Sequence, residues 1–203
     1  MIIAAENNRL YLASQSPRRA ELLQQISVEF SCISCSVDET PSINEVPENY
    51  VSRLAVAKAR AGWQQMKRDR LPRLPVLGAD TTVVLNGQIL GKPVDRDDGL
   101  SILQALSGTT HKVMTGVCLY YGSDEVALID ESSVQPGEIV LSKVNVTKVT
   151  FHSMTDSEIE SYWDTGEPLG KAGAYAIQGL AAIFIDRIEG SYSSVVGLPL
   201  STS

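Results

Sequence analysis

Histidine is scarce in this chain of 203 residues: His111 and His152 are the whole supply. Neither has the spacing of a Ser/His/Asp or zinc constellation, so surface or structural roles are expected for both. Cysteine is scarce too, at Cys32, Cys35 and Cys118. Cys32-Ile33-Ser34-Cys35 has the form of a CxxC motif, but no second CxxC completes a four-ligand metal site. Val28 to Val37 reads as a strand, and residues three apart on a strand point to opposite faces. The two thiols then diverge, and small core-filling side chains are the expected role. No apolar run reaches the length of a membrane span. The opening Met1-Ile2-Ile3-Ala4-Ala5-Glu6 lacks a basic region and is too short for a signal peptide, so a cytoplasmic protein is expected. Positive charge is in deficit, with a net charge of -7. That argues against a broad grip on DNA or RNA, although a local basic pocket can still take a small anion. Internal repeats and low-complexity tracts are absent.

What is present suits a globular fold. Hydrophobic residues make up 43% of the chain and charged residues 20%, enough for one large or two small domains. Arg9 to Ala13 is a short strand candidate. Ser16 as N-cap and Pro17 at N1 open a helix with an apolar stripe of Leu22, Leu23 and Ile26. After the Val28–Val37 strand comes a polar loop, Asp38 to Glu45. Pro47 opens a helix running to about Asp69, with Val51, Leu54, Ala55, Lys58 and Ala61 on one face. Val76 to Leu85 reads as a strand, Asn86-Gly87 as a two-residue hairpin turn, and Gln88 to Leu90 as the return. Asp95 caps a helix carrying Leu100, Leu103 and Leu106, which stops at Ser107-Gly108. A strand follows from about His111 to Tyr121. Turns at Gly122-Ser123-Asp124 and Gln135-Pro136-Gly137 flank further β segments ending at Phe151. Thr155-Asp156-Ser157-Glu158 is a capping box. Glu167 to Gly179 is irregular, and a last β-hairpin is expected from Ala182 to Val196. The fold expected is α/β with a sheet of mixed strand directions, one domain over 1–203 in one or two lobes around a cleft.

Several residues break local rules. Arg18 and Arg19 place two cations at the positive end of a helix dipole. A bound anion resolves the conflict through the free N–H groups of the helix start and both guanidinium forks; the alternative is that both reach solvent. Asp80 interrupts the apolar, β-branched run Val76 to Leu85, where an unpaired carboxylate is costly. A divalent metal or a catalytic water supplies a partner, and so does a hydrogen bond at a strand end. Asp38-Glu39 adds carboxylates that can complete a hard-cation site or stay solvated. Lys58 lies on the apolar face of its helix, either snorkelling or reaching a phosphate. Arg53, Arg60 and Lys67 read as surface charge. Strict hairpin register places Lys92 opposite Thr81, so Gly91-Lys92-Pro93 must bend if Lys92 is to join Asp80.

Leu12-Ala13-Ser14-Gln15-Ser16-Pro17-Arg18-Arg19, Asp38-Glu39, Ala57-Lys58-Ala59, Gly78-Ala79-Asp80-Thr81, Gly91-Lys92-Pro93, Leu106-Ser107-Gly108, Lys171 to Gly179, Gly190-Ser191-Tyr192 and Val196-Gly197-Leu198-Pro199 occur in family order across almost the whole chain. In these stretches the sequence closely resembles the Maf septum-formation-inhibitor-like proteins, nucleoside triphosphate pyrophosphatases. The resemblance implies an elongated mixed α/β structure around a central cleft, similar to the inosine triphosphatase architecture. It implies Asp80 as general base or metal-linked carboxylate, and Glu39 holding Mg²⁺ or Mn²⁺ with it. It implies Lys58, Lys92, Arg18 and Arg19 on the phosphates, with Ser14 nearby. Arg18, Thr81 and Gln178 resemble the triple that marks the dTTP/UTP branch. A nucleoside triphosphate substrate, no nucleic acid or membrane partner, and a homodimer are the expected associations. Two departures stand out: the chain stops at Leu200-Ser201-Thr202-Ser203, where relatives continue into a helix, and Gly122 to Val144 is longer than usual. The rivals are a non-catalytic nucleotide-binding regulator of cell division and a thiol-redox protein using Cys32 and Cys35.

Overall fold

The computed structural model describes residues 9–122 and 138–201. The turns expected at Gly122-Ser123-Asp124 and Gln135-Pro136-Gly137 lie, apart from Gly122, outside the described residues, as do the N-terminal stretch and Thr202-Ser203. In chain order the elements are β1 (Arg9–Ala13), α1 (Pro17–Gln25), β2 (Glu29–Cys32), α2 (Pro47–Arg68), β3 (Val76–Leu85), β4 (Gln88–Leu90), α3 (Arg96–Leu106), β5 (Thr110–Tyr121), β6 (Ile139–Phe151), α4 (Asp156–Asp164), β7 (Ile185–Glu189) and α5 (Tyr192–Val196). Short 3-10 turns occupy Ala172–Ala174 and Leu180–Phe184. The strands form a 7-stranded sheet in the order β2-β1-β3-β5-β6-β7, with β4 paired to β3. Strand β1 runs parallel to β2 and β3, whereas β4 and β7 run antiparallel to β3 and β6. The sheet is therefore mixed and the fold α/β, as expected. Among the described residues no helix is long and apolar enough to cross a membrane.

The chain divides into two compact units. One takes the residues up to Glu45, then Asn49–Asp80 and Gly116–Val144; the other takes Val46–Glu48, Thr81–Thr115 and the chain from Asn145. In the first unit α2 buries Val51, Leu54, Ala55, Ala59, Gly62, Trp63 and Met66. This stripe runs at three- and four-residue spacing, and Lys58 and Ala61 sit at its half-buried margin rather than at its centre. Trp63 meets Tyr120 edge-on at 5.8 Å between ring centroids. In the second unit α3 and α4 touch at Gly99, where a Cβ would come within 1.9 Å of the Trp163 ring. Asp95 accepts a hydrogen bond from the Asp98 N–H, and Thr155 and Glu158 form the expected capping box.

Two expectations are corrected. Strand β2 ends at Cys32, so Cys32 is exposed, while half-buried Cys35 packs on the core and Cys118 is fully buried. Core filling thus describes Cys35 and Cys118 but not Cys32. Burial pushes the Cys118 thiol up to about 11, which leaves it protonated and inert. The hairpin expected over Ala182–Val196 is a single strand, β7, followed by a helical turn. Ser191 accepts from the Ser194 N–H and donates its own N–H to Thr147 Oγ1, which turns the chain into α5.

His111 is 1% exposed, stacked edge-on against Phe151 and Tyr175, and its Nε2 shares a 2.8 Å hydrogen bond with the Tyr175 hydroxyl. Burial pushes its pKa down to about 4. The unfolded chain therefore binds one more proton between the ordinary histidine value and about pH 4. Stability should fall by on the order of 3 kcal/mol as pH drops through that window. Denaturant melts at stepped pH check this: His111→Gln should flatten the slope, and an unchanged slope would contradict the assignment.

Candidate functional site

The first unit converges its charges where α2 lies directly on β3. Gly78 makes this possible, since a Cβ there would stand 2.2 Å from the Ala55 carbonyl oxygen and 2.5 Å from the Ala59 nitrogen. Asp80 lies two residues further along the same strand face, and Lys58 immediately precedes Ala59 on the helix. The Lys58 ammonium donates to Asp80 Oδ1 at 2.6 Å and pairs with Glu39 Oε1 at 2.6 Å. Lys58 thus neither snorkels nor stands alone; it joins the two carboxylates expected to hold a metal.

Asp80 is only 8% exposed. Burial raises its pKa above the ordinary aspartate value, against the opposing pull of the Lys58 and Arg19 charges. A poised base of this kind suits proton abstraction. Arg19 is buried as well and donates from Nη1 to Ser14 Oγ at 3.0 Å. Burial lowers its pKa, the charge of Asp80 raises it, and a guanidinium remains charged throughout. Ser14 Oγ also accepts from the Ser16 N–H at 3.2 Å, which fixes the turn into α1. Ser16 occupies the N-cap position without a side-chain cap. Arg18 is half-buried beside it. Escape of both arginines to solvent is therefore overturned.

The loop that carries Glu39 is held by Arg53 and Tyr50. Arg53 clamps Glu45 through both oxygens at 2.7 Å and donates to the Thr40 carbonyl at 3.2 Å. The Tyr50 hydroxyl donates to the Glu39 carbonyl at 2.9 Å. Burial, then the charges of Asp80 and Glu39, push Tyr50 up to about 12. Arg53 is a clamp on the acidic loop, not surface charge. Arg60 faces Glu138 at 3.6 Å and is half-buried. Periodicity could not reveal Arg53, because its partner precedes the helix.

The second unit holds Thr81, Lys92 and Gln178. Thr81 follows Asp80 in sequence, and its hydroxyl lies 2.9 Å from that of Thr115. Thr115 gives its single proton to the Ser194 carbonyl at 2.8 Å, so Thr81 is the donor in their pair. Strand β4 stops at Leu90, and the Gly91 carbonyl accepts from the Gly173 N–H at 3.0 Å. Gly91-Lys92-Pro93 lies beyond the end of β4, and Lys92 is exposed. Gly173 has φ 68° and no space for a Cβ, which would meet Val83 at 2.7 Å. Gln178 is exposed on the loop that follows.

Similarity to known proteins spans nearly all of the chain. A family model described as "Maf-like protein" matches residues 9–203. A dTTP/UTP pyrophosphatase of Pseudoalteromonas atlantica is 51% identical over 94% of this chain and 91% of its own. That of Alkalilimnicola ehrlichii is 49% identical over 94% of this chain and 87% of its own, and that of Aromatoleum aromaticum 47% over 95% and 90%. Among solved structures, the Staphylococcus aureus Ham1 protein aligns at 15% identity over 70% of this chain and 72% of its own, with a TM-score of 0.41.

Proposed function

This chain belongs to the Maf-like protein family, and on that premise we infer that it is a nucleoside triphosphate pyrophosphatase acting on dTTP and UTP. It hydrolyses the α–β anhydride and yields the nucleoside monophosphate and pyrophosphate. The observation that carries the chemistry is the junction of Asp80, Lys58 and Glu39. The substrate is a small polyanion, for which an acidic chain needs only a local basic site. The activity of the relatives favours catalysis over a non-catalytic regulator of cell division.

We assign Asp80 the role of base. It takes a proton from a water whose oxygen forms a bond to the α-phosphorus as the bond to the bridging oxygen breaks. Pyrophosphate leaves with the bonding pair. Lys58 and Lys92 offset the charge growing on it, and Arg18, Arg19 and Ser14 hold the phosphates. Thr81 and Gln178 act on the base.

A divalent cation, Mg²⁺ or Mn²⁺, belongs to the same proposal. Among the described residues no group of three acidic, histidine or cysteine side chains can hold one unaided. Asp80 and Glu39 nevertheless offer hard oxygen donors, and each has a second oxygen beyond the one facing Lys58. Two carboxylates plus substrate phosphates are what such an ion uses. When bound, it supplies Lewis-acid polarisation of a phosphoryl oxygen.

Lys58→Ala should lower kcat/KM for dTTP at least about tenfold, whereas Lys67→Ala, at the far end of α2, should leave it nearly unchanged. Equal small losses would show that Lys58 only neutralises its two carboxylates. The inferred activity itself is tested by turnover of a nucleoside triphosphate panel, in which dTTP and UTP should lead. Preference for a purine nucleotide would overturn it.

A further inference from the structure

Gln178 stands at the tip of a turn that is anchored on both sides. The Gly179 N–H donates to the Ala176 carbonyl at 3.0 Å, closing a four-residue turn with Gln178 at its third position. Ile177 is buried within it, and Gln178 points outward. Ahead of the tip, the Ala176 N–H donates to the Tyr162 hydroxyl at 3.3 Å. Beyond it, the Leu180 N–H donates to Glu167 Oε2 at 2.9 Å and the Ala181 N–H to Glu167 Oε1 at 3.2 Å. Tyr162 and Glu167 are joined, since the tyrosine hydroxyl donates to Glu167 Oε1 at 2.8 Å. The carboxylate lies so close beneath the turn that a Cβ on Gly179 would stand 2.1 Å from Glu167 Oε2.

From this geometry we propose that Glu167, acting with Tyr162, is a positioning residue for base selection: it fixes the 176–181 turn so that Gln178 meets the pyrimidine edge in one orientation. The proposal rests on the inference that Gln178 reads the base. The support beneath it is rigid. Tyr162 belongs to the capped helix α4, is 4% exposed, and packs edge-on against Phe184 at 5.4 Å. Burial pushes the Glu167 carboxyl up, but the bonds from Leu180, Tyr162 and Ala181 outweigh it and hold the group below the ordinary glutamate value. An ionised carboxylate accepts at both oxygens, and its bonds to N–H donors are the stronger for the charge. An amide in its place accepts at one oxygen only and turns an NH₂ toward a backbone donor. A surface loop left to itself samples many orientations, and a side chain that must match a donor–acceptor edge loses its discrimination when its backbone moves.

The experiment measures kcat and KM for dTTP, UTP and GTP in wild type, Glu167→Gln, Tyr162→Phe, Gln178→Ala and the Glu167→Gln/Gln178→Ala double variant, each with its melting curve recorded. Glu167→Gln should lower the dTTP-to-GTP ratio of kcat/KM about tenfold, chiefly through KM for dTTP, with GTP turnover retained. Tyr162→Phe, a milder change, should move the ratio in the same direction. In the Gln178→Ala background Glu167→Gln should move it no further. A wild-type ratio in folded Glu167→Gln and Tyr162→Phe, while Gln178→Ala shifts it, overturns the positioning role alone. An equal shift with and without Gln178 also overturns it, because Glu167 then acts elsewhere. An unchanged ratio in Gln178→Ala overturns base reading by Gln178, and the positioning role with it.

Discussion

Asp80→Asn should leave the protein folded and cost at least two orders of magnitude in dTTP turnover. The substitution keeps shape and hydrogen-bonding capacity at a position that is 8% exposed, so the packing of α2 on β3 survives. It removes a carboxylate that burial holds above its ordinary pKa. General-base catalysis by a positioned side chain contributes roughly 10²–10⁴-fold, and an amide cannot supply it. The loss should fall on kcat, because Arg19 and Lys58 remain to hold phosphate. Near wild-type turnover in folded Asp80→Asn would remove Asp80 from the chemistry.

The second large effect is expected from metal removal. Exhaustive chelation should abolish hydrolysis, and Mg²⁺ or Mn²⁺ should restore it. The physical ground is charge. In the first unit Asp80 and Glu39 already face Lys58, with Arg19 close enough to feel Asp80. This cluster is nearly neutral by itself, and a triphosphate brings several negative charges into it. A divalent cation held by Asp80 and Glu39 would offset that repulsion and supply Lewis-acid polarisation of a phosphoryl oxygen. Activity that persists in metal-free protein would leave Asp80 and Glu39 as partners of Lys58 and nothing more.

Much of this was legible in the sequence where local chemistry decides structure. Asn86-Gly87 closes the β3–β4 hairpin with φ 51° and 83°, the doubly positive turn that this pair favours. Thr155 and Glu158 form their capping box because both partners lie within one helical turn. Asp80 was visible as a charge out of place in an apolar strand. Less legible was anything that depends on distant partners. The Lys58 contact to Glu39 spans a loop and a helix, and Arg53 finds Glu45 outside any repeating pattern. Glu167 sits in a stretch that reads as irregular, where only the folded turn shows what its two oxygens hold. Ala182–Val196 reads as a hairpin, but Ser191 caps α5 and turns the second half of it into a helix.

The most direct test is hydrolysis of dTTP in ¹⁸O-labelled water, with the products resolved by mass. Attack at the α-phosphorus gives thymidine monophosphate carrying one ¹⁸O, and pyrophosphate carrying none. Label in the pyrophosphate, or release of labelled inorganic phosphate with thymidine diphosphate, would contradict cleavage by attack at the α-phosphorus.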